Sequence, residues 1–285
     1  MATTNRIYIL ATFLVSSIAL IFNIVSLSTE QWITGKLSDL TDTTQDFSYI
    51  NYGLFRGNYR RYVSIRASYQ VEMTCNFANN VCALLCSADS TADLLDALYN
   101  NNINENDDPT GSCISTTSSV FAIHPLTAKT LTTTTYVNRK NFINAGVWLS
   151  TIVCLVIAAI IGLLASVLAL YNTISNPINF YLSVGSLYFY NGLALGFTLL
   201  YVILWGTMYN LTIFHNVALY DTLAEKMTSD KMAFLGYSYW ISFIPMTFYG
   251  ASIAVLFYRE HLNAKDPKQK NIQIEDSADP SLFLF

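Results

Sequence analysis

Four apolar stretches stand out along the chain: Ile7–Leu27, Ala145–Tyr171, Phe180–Tyr209 and Met232–Tyr258, none of which contains Asp, Glu, Lys, Arg or His. A hydrocarbon core about 30 Å thick takes roughly 20 residues of helix to cross, so each stretch predicts a membrane span. The polar stretch between the first two spans is far longer than the others. The pattern predicts a cytoplasmic start (1–6), a first span (7–27), an extracellular loop (28–144), a second span (145–171), a short cytoplasmic loop (172–179), a third span (180–209), a second extracellular loop (210–231), a fourth span (232–258) and a cytoplasmic tail (259–285). The expected fold class is a membrane α-helical protein: a bundle of four transmembrane helices with an extracellular antiparallel β-sheet formed mainly by the first loop.

Within that loop, Val63–Thr74 alternates strictly, with Val63, Ile65, Ala67, Tyr69, Val71 and Met73 apolar and Ser64, Arg66, Ser68, Gln70, Glu72 and Thr74 polar. A period of two over a dozen residues predicts a half-buried strand. Shorter strands are expected at Gln31–Leu37, Tyr49–Phe55 and Leu131–Val137. Ser90–Asn101 predicts a short helix, capped by Ser90 with Leu94, Leu95 and Leu98 on one face. Asn100–Ser112, rich in Asn, Asp, Gly and Pro, predicts an exposed loop.

Composition supports the membrane reading: 53% of residues are hydrophobic and 12% charged, where soluble domains carry about 25% charged residues. A net charge of −4 and the lack of a basic patch set nucleic-acid binding aside. The first stretch is longer than the roughly 7–15 residues of a signal-peptide core, so it is expected to be retained as a helix. Arg6 before the first span and Arg259, Lys265, Lys268 and Lys270 after the fourth place both termini in the cytoplasm, although Arg139 and Lys140 flank the second span from the other side. The sequon Asn210-Leu211-Thr212 then falls outside, in the loop after the third span, and makes Asn210 a glycosylation candidate. Trp32, Trp148, Trp205 and Trp240 fall near the outer ends of the spans, where indoles anchor at the interface.

The spans carry small residues four apart, Ala158, Gly162 and Ser166 in the second and Gly192 and Gly196 in the third, a spacing that packs helices within one bundle or against a partner helix. Pro245 predicts a kink in the fourth span. Asn23 and Asn191, the amides well inside the spans, predict hydrogen bonds between helices. A transporter, pump or ion pore normally keeps ionisable groups in its spans. Cys75, Cys82, Cys86 and Cys113 lie in the first loop and predict two disulfides in an oxidising compartment, in any of three pairings, with a zinc site as the rival. No catalytic constellation is read, since His124, His215 and His261 are scattered. The expectation is a protein without enzymatic activity, metal or cofactor.

Trp32-Ile33, followed by Asn51-Tyr52-Gly53-Leu54-Phe55-Arg56-Gly57, resembles the Trp and Gly-Leu-aromatic signature of the claudin and peripheral-myelin-protein superfamily, and is most similar to clarins within it. The resemblance implies a twisted antiparallel sheet standing on the bundle, with Trp32, Gly53, Leu54 and Phe55 in structural roles. Claudins carry two cysteines soon after the signature; here Arg56–Thr74 intervenes before Cys75, so their pairing does not transfer. The implied function is a plasma-membrane organiser of contacts, at cell junctions or other adhesion sites, linked to a cytoplasmic scaffold or actin. Phe283 and Phe285 match a hydrophobic ligand of PDZ domains. Two further readings stand beside it: an auxiliary subunit of an ion channel or receptor, and a paracellular barrier or pore former sensitive to Arg60 and Arg61. The expected partners are the lipid bilayer, membrane proteins and a second copy of the chain.

Overall fold

Hydropathy and helix length agree in four places. In the computed structural model, which describes residues 2–39, 47–63, 65–86, 91–100, 138–175, 180–225 and 227–265, four helical segments are long and apolar enough to cross a membrane: Arg6–Ser28, Ala145–Ile174, Val184–Ile213 and Tyr237–Ala264. They belong to α1 (Ala2–Ser28), α3 (Ala145–Ile174), α4 (Val184–Met208, continued by a π-helical turn, Tyr209–Ile213), and α6 (Tyr237–Ile241) with α7 (Phe243–Lys265). The smaller elements are β1 (Ile33–Asp39), β2 (Phe47–Tyr52), β3 (Arg56–Val63), β4 (Ile65–Asn76), β5 (Val81–Cys86), α2 (Thr91–Tyr99), β6 (Ile143–Asn144), α5 (Tyr220–Leu223), β7 (Met227–Thr228) and β8 (Ala233–Leu235). The chain resolves into two compact units, one comprising 1–23, 157–198 and 244–285, the other 24–156 and 199–243.

The first unit is a four-helix bundle. Ile9 of α1, Ala169 of α3, Leu187 of α4 and Leu256 of α7 share one buried cluster; Ala19, Ala194 and Tyr249 form another. Polar side chains thread the same interior. Ser16 donates to Asn191 Oδ1 at 2.9 Å and lies 3.1 Å from Ser252 Oγ, and Asn23 donates to the Tyr249 hydroxyl at 3.3 Å. The two amides of the apolar helices therefore bond between helices, as the sequence predicts.

The second unit is built on an antiparallel meander, β1 to β5, in which each strand pairs with the next. The alternating stretch forms β4 from Ile65 onward, and β2 begins and ends a few residues before the expected span. Val81–Cys86 is buried along its whole length, one face packing with Leu95 and Leu98 of α2, Phe142, Tyr220 and Leu223. The short helix is where the leucine spacing put it.

The second loop completes this sheet. Ile33–Gly35 of β1 pair with Leu235–Ala233 of β8, Lys36 N–H donates to Met232 O at 3.1 Å, and Ser38–Asp39 pair with Thr228–Met227 of β7. At the other end of the meander, β6 pairs with Val81–Cys82, and Leu84 N–H donates to Ala218 O at 2.8 Å in a parallel bridge to Leu219. One loop thus reaches both β1 and β5, and the sheet curls around it.

The third and fourth helices are displaced along the chain from the expected spans. The third helix begins at Val184 and ends at Ile213; Phe180–Leu182 is a separate 3-10 turn. Met232–Leu235, expected in the fourth span, joins the sheet instead. Hydropathy marks an apolar run without saying whether its backbone is helical or paired. Gly236 stays extended after β8, where its Cα passes so near Gln31 that an added Cβ would lie 2.0 Å from Gln31 O. The helical path then breaks at Ser242, between α6 and α7. Pro245, which has no N–H to bond the turn before it, lies three residues beyond that break, within the first turn of α7.

Candidate functional site

Trp32 leaves α1 and enters the sheet fully buried. Its indole Nε1 donates to Ser26 O at 2.8 Å, and its ring meets Trp205 edge-on at 5.2 Å, with Tyr201 and Tyr239 each at 6.4 Å. The Gly-Leu-Phe segment is joined to it through backbone: Trp32 N–H donates to Tyr52 O at 2.9 Å. A Cβ on Gly53 would lie 2.4 Å from Thr29 O, so only glycine fits. Leu54 is buried, and its carbonyl accepts from Trp148 Nε1 at 2.7 Å. Phe55 departs from a core role: it is 48% exposed and leans edge-on against Trp148. Trp205 is likewise no interface anchor but a buried neighbour of Trp32, whereas Trp240 is exposed.

The outer face of the sheet carries a row of cationic and aromatic side chains. Lys36, Tyr49 and Arg60 are direct cross-strand neighbours on β1, β2 and β3, and all three are exposed. The Lys36 ammonium lies 5.9 Å from both the Phe47 and Tyr49 rings, and Tyr49 packs edge-on against Tyr62. A shallow groove runs over this row, lined also by Gln31, Asn51 and Phe234. Among the described residues no carboxylate pairs with Lys36 or Arg60, while Arg56 is held by Glu30 at 2.8 Å. Alternation in β1 and β2 puts these side chains opposite the buried Ile33, Leu37, Ile50 and Tyr52.

On the inner side, Tyr59 donates to Asp221 Oδ2 at 3.0 Å. Burial holds the Tyr59 phenol well above the ordinary tyrosine range, and the Asp221 carboxylate adds to the shift. Burial alone raises Tyr52. Asn216 ties the second loop together, accepting from Ala218 N–H at 2.8 Å and Thr222 Oγ1 at 2.7 Å. The lack of any second-loop motif hid Asp221 from the sequence reading. The β5 strand did leave a signal, an unbroken apolar run after the Asn79-Asn80 turn.

Cys75 and Cys82, opposite each other on β4 and β5, form a disulfide; Cys86 is disulfide-bonded too, and Cys113 lies outside the described residues. Cys154 is a buried free thiol. Ala158 and Ser166 are buried, Ser166 bonds back to Gly162 O, and Gly162 faces the Tyr249 hydroxyl. Gly192 and Gly196 differ from the expected bundle packing: a Cβ on either would meet nothing within 4 Å, because the buried face of α4 runs through Asn191, Ala194 and Thr198. Asn210 sits in the π-helical turn rather than in a loop, exposed, with its amide donating to Gly206 O at 2.8 Å. His215 pairs with Asp230 at 2.9 Å. Among the described residues no group of three His, Cys, Asp or Glu could hold a metal. His124, the strand expected at Leu131–Val137, nearly all of the Asn100–Ser112 loop, and Phe283 and Phe285 fall outside the described residues.

No family model matches the chain, and no curated protein matches it.

Proposed function

We propose that this chain is a four-pass membrane protein of the clarin and claudin kind, without enzymatic activity, that organises contacts between or within membranes. In this reading the sheet is exoplasmic at the plasma membrane, both termini are cytoplasmic, and the stretch after the fourth span links to a scaffold or to actin. The observation that supports it is the outer sheet face, where Lys36, Tyr49 and Arg60 form one row with no described carboxylate partner. Cations beside exposed aromatic rings suit an acidic protein surface, since the charges steer encounter and the rings supply contact area. Both ends of the meander pair with other segments of the same chain, which leaves the face, not an edge, for recognition.

The test places a photo-crosslinking phenylalanine analogue at Tyr49 and irradiates intact cells. The expected result is a discrete cross-linked species that disappears in the Lys36→Glu, Arg60→Glu double variant at unchanged surface level. A cross-linking pattern indifferent to that double variant would count against the reading.

A second reading, the auxiliary subunit of a channel or receptor, is favoured by the open Gly192 and Gly196 positions on α4. Small residues without an internal partner let a neighbouring helix approach closely. Gly192→Leu with Gly196→Leu would then release a co-purifying pore subunit without unfolding the chain.

A further inference from the structure

The hairpin between β4 and β5 ends in an aromatic tip. Residues 75–86 include no charged side chain, the Cys75–Cys82 disulfide closes the hairpin just behind its turn, and Phe77 in that turn is 58% exposed. A single exposed phenylalanine is ordinary by itself; the place where this one is tied down is not. Asn80, in the left-handed region at φ 54°, accepts from Ala145 N–H at 3.3 Å through its carbonyl and from Gly146 N–H at 2.8 Å through Oδ1. Ala145 and Gly146 open α3, the most apolar of the four spans, with a hydropathy of 3.0. The first N–H groups of any helix lack intrahelical partners, and here the hairpin tip supplies two acceptors. The tip is therefore held level with the start of a membrane-crossing helix.

Its surroundings are graded in the same direction. Just before α3, Arg139 and Lys140 form a single 3-10 turn, the Arg139 guanidinium lying 4.7 Å from the Tyr99 ring. In the first turn of α3, Trp148 meets the half-exposed Phe55. Cations first, then aromatic rings, then an uncharged helix is the order of groups met on passing from phosphates into acyl chains.

The geometry points to a lipid contact made by the sheet unit itself: Phe77, presented by the disulfide-closed turn, and Phe55, packed on Trp148, enter the outer-leaflet interface around the start of α3, while Arg139 and Lys140 meet the phosphates. The hairpin fixes the unit against the bilayer at a second place besides its helices. An uncharged tip offers no ion-pair handle to a protein partner, and its tether to a span boundary sets its depth. The inference rests on the four helices crossing a bilayer.

The test uses the full chain in phosphatidylcholine nanodiscs, with p-benzoylphenylalanine at Phe77, at Tyr49 on the outer sheet face, or at Phe257, exposed on α7. Intact mass after irradiation reads lipid adducts, and gel mobility with and without reductant confirms the disulfides. Adducts several-fold more abundant at Phe77 than at Tyr49, and comparable with Phe257, support the inference. Adducts at Phe257 but only a Tyr49-like level at Phe77 overturn it and leave the membrane reading intact. No adduct at Phe257 overturns both. Should the bulky ring disturb folding, Phe77→Trp in bilayers with brominated acyl chains replaces it: quenching of the added emission supports the contact, and unquenched emission overturns it.

Discussion

Each compact unit contains a glycine whose added Cβ would collide with a neighbour and a buried tyrosine hydroxyl with a polar partner, yet the two are built to different tolerances. In the sheet unit Gly53 is pressed against backbone, the carbonyl of Thr29, and Tyr59 bonds a carboxylate, Asp221. In the helical unit Gly162 is pressed against the end of a side chain, the Tyr249 hydroxyl, and Tyr249 bonds a neutral amide, Asn23. The backbone there cannot yield without breaking hydrogen bonds, since Thr29 N–H donates to Val25 O and Gly53 N–H to Arg56 O, whereas a tyrosine ring can swing. A carboxylate left alone in a buried site costs more than an amide. The sheet unit should therefore be brittle where the helical unit is forgiving.

Gly53→Val is the largest expected breach. Overpacking costs about 1–3 kcal/mol or more where nothing can move, so the variant should be lost from the monodisperse peak in fluorescence-detected size exclusion. Gly196→Val, at an open position on α4, should elute as the parent does. Next comes the disulfide behind Phe77. Its 7-residue separation gives about 2.5 kcal/mol on the loop-closure estimate. Cys75→Ser with Cys82→Ser should lower the melting temperature and reduce the loss on adding reductant to whatever the remaining disulfide supplies.

Tyr59→Phe follows, at about 1–3 kcal/mol, because it leaves Asp221 buried without its donor. It also has a pH signature. The folded phenol is raised above its unfolded value of about 10, so its contribution is complete below that pH and is lost as pH rises through and beyond it. Thermal melts of Tyr59→Phe should therefore follow the parent's pH dependence up to about pH 10 and fall less steeply from there to pH 11. The smallest effect sharpens the contrast from the helical side. Gly162→Ala should cost about 1 kcal/mol, and Tyr249→Phe about 0.6 kcal/mol, typical of a hydrogen bond within a membrane. Combined, they should cost less than their sum, since removing the hydroxyl makes room for the methyl. Strict additivity would show that Gly162 is not limited by Tyr249.

These differences track what a linear reading conveys. The spans were visible because an uncharged run of helical length has few other uses, and β4 because period two persists from Ile65 to Thr74. Trp32 and Gly53 were legible as structural positions, although the aromatic company of Trp32 was not: Tyr201, Trp205 and Tyr239 come from segments more than a hundred residues away. The small-residue stripes read alike at Gly162 and Gly196, and only helix rotation separates the packed one from the open one. The outer row was hidden for a related reason. Lys36, Tyr49 and Arg60 are unremarkable alone and become a surface only through cross-strand register. Residues 214–235 were the least legible, since β7 and β8 are too short for any periodicity and owe their conformation to β1.

That dependence has a consequence for biogenesis. The meander leaves the ribosome before α3 and α4 exist, whereas the strands that cover β1 and the bridge to β5 arrive only after α4. Through that interval the nascent sheet has raw hydrogen-bonding edges, a state open to mispairing. A chain stopped before residue 214 would hold that vulnerability permanently, so premature termination there should produce a species dependent on chaperones rather than a shorter working protein.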